Sequence, residues 1–418
     1  MGHLEHDDPE VAELIRRESV RIETTLNLIA AESHAPPSVR EALGSVFNEK
    51  TIEGYPGRRF HAGCIHADAL ENLAVSRAKT LFGAEYANVQ PHSGTSANLA
   101  VYFSLLETGD RILAMSLPHG GHLSHGHSAS ITSQCFQFAH YPVDMDSEQI
   151  DYDHVEQIAK TFQPRMIVSG ASAYPRLIDY GRMSDIATGV GAYLMADMAH
   201  IAGLVAAEVI PSPVPQCDVV TLTCYKTLMG GRGGVILAKR GHGNKIDRTI
   251  FPGSQGTSPV NVIAAKAVTF KRAMSPDFRR IQQRTINNAT HLADALHDRG
   301  FRIVTGGTEN HQVIVDVGAR GLTGGLAEQT LEGVGIIANR NSIPSDAASP
   351  PAVSGVRLGT GAISARGMGK KEMGRIADFI ESALGDPENR QRLKSVASEV
   401  RQLCAEFPVH PEKRMTYE

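Results

Sequence analysis

A lysine enclosed between two apolar runs constrains this chain more than any other stretch. Val219 to Leu222 is one short apolar run and Gly234 to Ala238 is a second. Both have the length of buried strands. Between them lies a glycine-rich turn holding one lysine, Lys226. An ammonium between core strands is costly unless it is paired, neutral or in covalent use. The plain alternative is a surface lysine at a strand end. Upstream, the run that starts at Ala192 ends in Asp197. A carboxylate at one strand end and a lysine after a later strand suit pyridoxal phosphate. That cofactor takes a lysine as Schiff base and an acid as partner of its pyridinium nitrogen. Asp197 alone could equally cap a helix.

The remaining pattern is that of an α/β protein. Apolar runs at 86–89, 111–115, 165–170, 192–196, 218–223 and 234–239 alternate with helical stretches such as 67–82. Such alternation predicts a mainly parallel sheet with ligands at its carboxyl edge. Helical spacing over 9–25 and the Pro36-Pro37 start predict N-terminal helices. From 301 the chain turns to a shorter mixed region, with strands at 301–305 and 312–316 and helices at 325–334 and 369–384. We expect an N-terminal helical arm over 1–50, a large domain over 51–272 and a smaller C-terminal α+β domain over 273–418. Residues 50–64, rich in glycine and proline, read as a functional loop.

The 418 residues are 42% hydrophobic with a formal net charge of −4, ordinary for a globular chain with two cores. This balance gives no reason to expect nucleic acid or an anionic membrane as partner. The five cysteines form no CxxC and read as reduced thiols. The first ten residues are polar and acidic, unlike a signal peptide, and no apolar run would span a bilayer. The expected location is cytoplasmic.

Ser93-Gly94-Thr95 falls between a strand and a helix, where backbone N–H groups can take a phosphate. A helix cap without a ligand is the alternative. Arg232 and Arg357 each read as lying in a glycine-containing turn, and a guanidinium fork suits a carboxylate. Four histidines fall within residues 119–127. The Gly-Gly among them breaks any helix that would align them, and no carboxylate or cysteine is interleaved, so no metal is expected. One imidazole stacked on a planar cofactor fits better.

Taken together these motifs resemble the serine hydroxymethyltransferases, from about Glu18 to Val409. The resemblance rests on Glu53-Gly-Tyr-Pro-Gly-Arg-Arg, Gln90-Pro-His-Ser-Gly, His119-Gly-Gly-His-Leu, Asp197-Met-Ala-His, Lys226-Thr-Leu, Phe251-Pro-Gly and Ser354-Gly-Val-Arg-Leu-Gly-Thr. It implies a fold-type I pyridoxal phosphate enzyme with tetrahydrofolate as co-substrate, at least dimeric, with sites shared between subunits. Lys226 would hold the cofactor covalently, Asp197 its pyridine nitrogen, and His122 would stack on the ring. Ser172 and His200 would contact the phenolic oxygen. Ser93, Gly94 and Thr95 would bind the phosphate, with Gly256 from the partner. Arg357 would clamp the substrate carboxylate. Glu53, also from the partner, would be the acid–base group, and Thr51, Tyr55 and His61 of its loop would face the substrate. Leu117, Gly121, Leu123 and Asn341 would line the folate pocket.

Several positions depart from the family pattern. Thr51 and His61 stand where tyrosines are usual, Ala31 where a serine is, and Cys224-Tyr225 where Thr-His is. Gly256-Thr257 replaces a glycine pair. The changes gather around the substrate's α-carbon. They lead us to expect α-methylserine as substrate, giving D-alanine, because Thr51 leaves room for a methyl group. Alternatives are an ordinary L-serine/glycine enzyme, a folate-independent aldolase, and a catalytically silent homologue that binds folate or RNA. The retained Lys226 and Asp197 argue against the last.

Overall fold

The computed structural model describes residues 2–346 and 353–409. Its centre is a seven-stranded sheet of β1 (Tyr86–Asn88), β2 (Arg111–Met115), β3 (Gln137–Tyr141), β4 (Met166–Ser169), β5 (Tyr193–Asp197), β6 (Val219–Thr223) and β7 (Gly234–Ala238). The order is β1-β7-β6-β5-β4-β2-β3. All neighbours are parallel except at β7, which runs antiparallel to both β6 and β1. Helices of the chain include α1 (Pro9–Thr24), α2 (Pro37–Leu43), α3 (Ile65–Phe82), α4 (Gly94–Leu105), α5 (Val260–Ala273), α6 (Pro276–Asp298), α7 (Lys370–Leu384) and α8 (Arg390–Glu406).

The central strands are mostly apolar because both of their faces are covered. Alternate residues serve opposite faces. Leu113, Ile167, Leu194, Val220 and Val235 join a core with Ala74 and Ala78 of α3 and with Ile263, Ala267 and Phe270 of α5. Ile112, Met166, Met195, Val219 and Ile236 pack on the other side against Val101 and Tyr102 of α4. Strand β3 has no counterpart in the sequence reading. It is an edge strand with only Tyr141 fully buried, so it lacks a continuous apolar run.

A second core lies around an antiparallel sheet of β8 (Arg302–Ile303), β9 (Gln312–Asp316), β10 (Asn339–Asn341) and β11 (Gly355–Gly359), ordered β8-β9-β11-β10. Helices α6, α7 and α8 cover it. Leu26 and Leu28 also enter this core, and Leu26–Asn27 pairs in parallel with Ile336–Ile337. The next N-terminal helix, α2, packs instead on α5 of the large sheet. The chain passes between the two cores at Met274–Ser275, where Ser275 caps α6 through the Phe278 N–H. Among the described residues no helix is long and apolar enough to cross a membrane.

Arg357 requires a correction. It lies in the middle of β11, paired with Ile314 and Asn339, and not in a turn. The flanking glycines look like turn punctuation, but crowding explains them. A Cβ on Gly355 would lie 2.7 Å from the Asn341 carbonyl, and one on Gly359 would lie 2.3 Å from the Cα of Ala30.

Candidate active site

Asp197 ends β5, level with Thr221 on β6. Its Oδ2 accepts from Asn98 Nδ2 at 2.8 Å and lies 3.1 Å from His125 Nε2, while Oδ1 accepts the Ala199 N–H at 3.0 Å. Asn98, on the second turn of α4, also donates to Ser124 Oγ at 2.9 Å and accepts from Thr221 Oγ1 at 2.7 Å. Burial by itself would raise the acid's pKa. The hydrogen bond and charge of His125, then His122 and Asn98, outweigh it and hold the carboxyl well below the usual carboxylate range. A permanently ionised acid thus sits at the carboxyl edge of the sheet.

Lys226 leaves β6 three residues beyond its end and is 7% exposed. Among the described residues its amine has no hydrogen bond or ion pair. Burial brings it down to about 8, against the opposing charge of Asp197. An amine of that basicity is partly neutral near neutral pH, as covalent use requires. Lys226, Asp197, His122, Ser172 and His200 line one cavity together with Ser93, Gly94 and Thr95.

His122 Nδ1 accepts the N–H of Ser124 at 3.1 Å and lies 2.7 Å from its Oγ. Burial holds the imidazole down to about 4. The ring is therefore neutral, with its proton on Nε2. His200 is buried and stacked on His311 at 5.7 Å and 24°. Among the described residues its Nδ1 has no partner, and burial keeps the ring well below the usual histidine range. Ser93 caps α4 in a reciprocal box with Ser96. The cap uses the Ser96 N–H and leaves the N–H groups of the first turn without intrahelical partners.

Arg357 Nη1 donates to the Ser172 carbonyl at 2.5 Å and Nε donates to Asn339 Oδ1 at 3.2 Å. No carboxylate pairs with it among the described residues, and burial holds it down to about 10. It borders a second cleft lined by Leu117, Gly121, Leu123 and Asn341. His122 and Ser172 line both spaces, so the two adjoin.

Thr51, Glu53, Tyr55, His61 and Gly256 line neither space. They gather instead around the hairpin Gly54–Tyr55/Arg58–Arg59. Glu53 Oε2 lies 3.3 Å from His61 Nε2, and a Cβ on Gly256 would lie 3.6 Å from Glu53 Oε1. The Glu53 and His61 side chains are 39% and 44% exposed. Buried Arg59 anchors the hairpin through Glu71 and Asp68. The Tyr55 hydroxyl donates to the Asp247 carbonyl at 2.8 Å and accepts from Asn88. It is taken up within its own chain.

Sequence reasoning missed Asn98, Ser124, His125 and Thr221, which hold Asp197 and His122. Asn98 carried a signal: it is the one carboxamide in an otherwise apolar or small helix. Among the described residues no cluster of histidine, cysteine and acid could hold a metal.

The residues fit a pyridoxal phosphate group. An unpaired amine, an ionised acid, an imidazole with an orphaned nitrogen and an open helix N-terminus surround one cavity. Fold and site together define a fold-type I pyridoxal phosphate enzyme. A family model described as serine hydroxymethyltransferase matches residues 4–380. "Serine hydroxymethyltransferase 1" of Pseudomonas fluorescens (strain Pf0-1) is 49% identical over 407 residues, 97% of this chain and 99% of the relative. The chain belongs to the serine hydroxymethyltransferase family, whose members are pyridoxal phosphate-dependent one-carbon transferases with tetrahydrofolate as co-substrate.

Proposed function

We propose that this chain moves the hydroxymethyl carbon between α-methylserine and tetrahydrofolate, releasing D-alanine. The placement of Lys226, Asp197, His122 and the α4 N-terminus around one cavity carries the catalytic part of this reading. When bound, the cofactor supplies an electron sink for the breaking Cα–Cβ bond. Lys226 would hold it, Asp197 would keep the pyridine nitrogen protonated, and neutral His122 would stack on the ring. His200 and Ser172 would meet its phenolic oxygen, and the first turn of α4 would take the phosphate. Arg357, buried and without a counter-ion among the described residues, takes the substrate carboxylate. Leu117, Gly121, Leu123 and Asn341 face the folate.

Glu53 and Gly256 reach this cavity from a second copy of the chain. What supports this is their separation from the cavity and their clustering with exposed Thr51 and His61. In the two-chain site Glu53 exchanges the proton of the substrate hydroxyl.

Thr51 carries the choice of amino acid. A tyrosine there would close the slot on Cα that must otherwise take a methyl group, and forcing a methyl into a closed slot costs about 1–3 kcal/mol. The named relative favours a second reading, L-serine and glycine as the pair. A panel of L-serine, both α-methylserine enantiomers, glycine and D-alanine, each with and without tetrahydrofolate, separates the two. Thr51→Tyr should lower kcat/KM for α-methylserine at least tenfold and spare L-serine. If both fall together, Thr51 belongs to the cofactor cradle.

A further inference from the structure

Lys266 lies on α5 and is 1% exposed. Its ammonium donates to three backbone carbonyls: Val89 at 2.6 Å, Gly234 at 2.8 Å and Pro91 at 3.0 Å. All three of its N–H donors are thereby used. No carboxylate pairs with it among the described residues. Burial brings the amine down to about 8, and the charges of Cys224 and Glu71 oppose the fall only in part. A buried cation without an anion carries its own desolvation cost, offset here by the three carbonyl bonds alone.

The three carbonyls lie at chosen places. Val89 and Pro91 sit between β1 and Ser93, the cap of α4. Gly234 is where the chain re-enters the sheet after the Lys226 turn, and its N–H donates to Pro91 at 3.0 Å. Gly233, at φ +132°, leaves room for the ammonium: a Cβ there would lie 2.4 Å from Lys266 Cε. The same loop is tied from the Gly256 side. Gln255 and Ser258 both donate to the Gln90 carbonyl, at 3.0 and 2.7 Å, and Gln255 Oε1 accepts the His92 N–H at 3.1 Å.

We infer that Lys266 is a positioning residue for the phosphate seat: one ammonium gathers Val89, Pro91 and Gly234, and so aims the first turn of α4 into the cavity. This rests on the proposed placement of the cofactor phosphate at Ser93–Thr95. The rigid loop is what makes the helix N-terminus an anion site rather than a frayed end. Removing the ammonium therefore costs affinity for the phosphate and not for the pyridine ring.

The test compares Lys266→Met with the wild type in equilibrium binding to the apoprotein. The probes are pyridoxal phosphate and pyridoxal, which lacks the phosphate. Measured well below the melting temperature of each apoprotein, the Kd for pyridoxal phosphate should rise at least tenfold and that for pyridoxal should change less than twofold. Lys266→Gln keeps two N–H donors without the charge. It should give a smaller loss of the same selectivity, and it decides the matter if the Met variant does not fold. Equal weakening of both probes, or no weakening of either, overturns the inference. Ser93→Ala is the control for the seat itself. If Ser93→Ala is not phosphate-selective, the seat lies elsewhere; if it is selective and the Lys266 variants are not, only the role of Lys266 fails.

Discussion

At the scale of single residues the site is a set of charges held where water cannot soften them. Lys226 is the clearest case. Its folded amine titrates near 8, against 10.5 for an ordinary lysine. Between those values the unfolded chain binds more protons than the folded apoprotein. This contribution is therefore full above 10.5, and it is lost as pH falls through 8. The shift corresponds to about 3 kcal/mol. The melting temperature of wild-type apoprotein should climb from pH 8 to 10 more steeply than that of Lys226→Met; parallel curves would place the amine in water. Arg357 makes a second case. Arg357→Ala should weaken amino-acid binding by about 2–5 kcal/mol and leave the cofactor spectrum alone. A normal KM would move the clamp to Arg232, whose guanidinium lies 4.5 Å over the Tyr225 ring.

At the scale of elements, what the sequence reveals depends on how an element is stabilised. Strands β4 to β7 were legible because two covered faces demand unbroken apolar runs. Helix α7 was legible because one buried stripe recurs at helical spacing. Strand β10 was not, since Asn339-Arg-Asn carries no apolar signal and owes its place to pairing with β11. Helix α8 is mostly polar, with only four buried residues, and escaped notice for the same reason. The acid and the lysine were readable as chemistry on strand ends. The acid's support, Asn98 on α4, left only the faint signal of one carboxamide among apolar and small residues, and the burial of Lys266 on α5 left none, because nothing in one dimension says which lysine a fold will bury. Strand β11 gives a prediction at this scale. The backbone of Gly359 passes so close to Ala30 that Gly359→Ala must push the N-terminal segment off the second core. Overpacking of this kind costs about 1–3 kcal/mol, read as a drop of a few degrees in melting temperature. An unchanged melting temperature would show that this contact yields freely.

At the scale of the whole molecule, the proposed division of labour between two copies can be tested without a structure of the pair. Lys226→Ala and Glu53→Gln should each be inactive alone. Mixed under conditions where subunits exchange, they should recover part of the wild-type rate, since one of the two sites in a heterodimer then holds both native residues. No recovery, with exchange shown separately by mass labelling, would mean that one chain builds the whole site.

The contact between Arg357 and the Ser172 carbonyl joins the two cores at the edge of the cavity. The guanidinium belongs to the C-terminal sheet, while the amine, the acid and the imidazole belong to the large one. On the proposed roles, the group that clamps the substrate's carboxylate is inherited on a different piece of the fold from the part that breaks its bond. A lineage can alter residues such as Asn339 beside the guanidinium, and so change how tightly a carboxylate is held, without touching the amine, the acid or the imidazole.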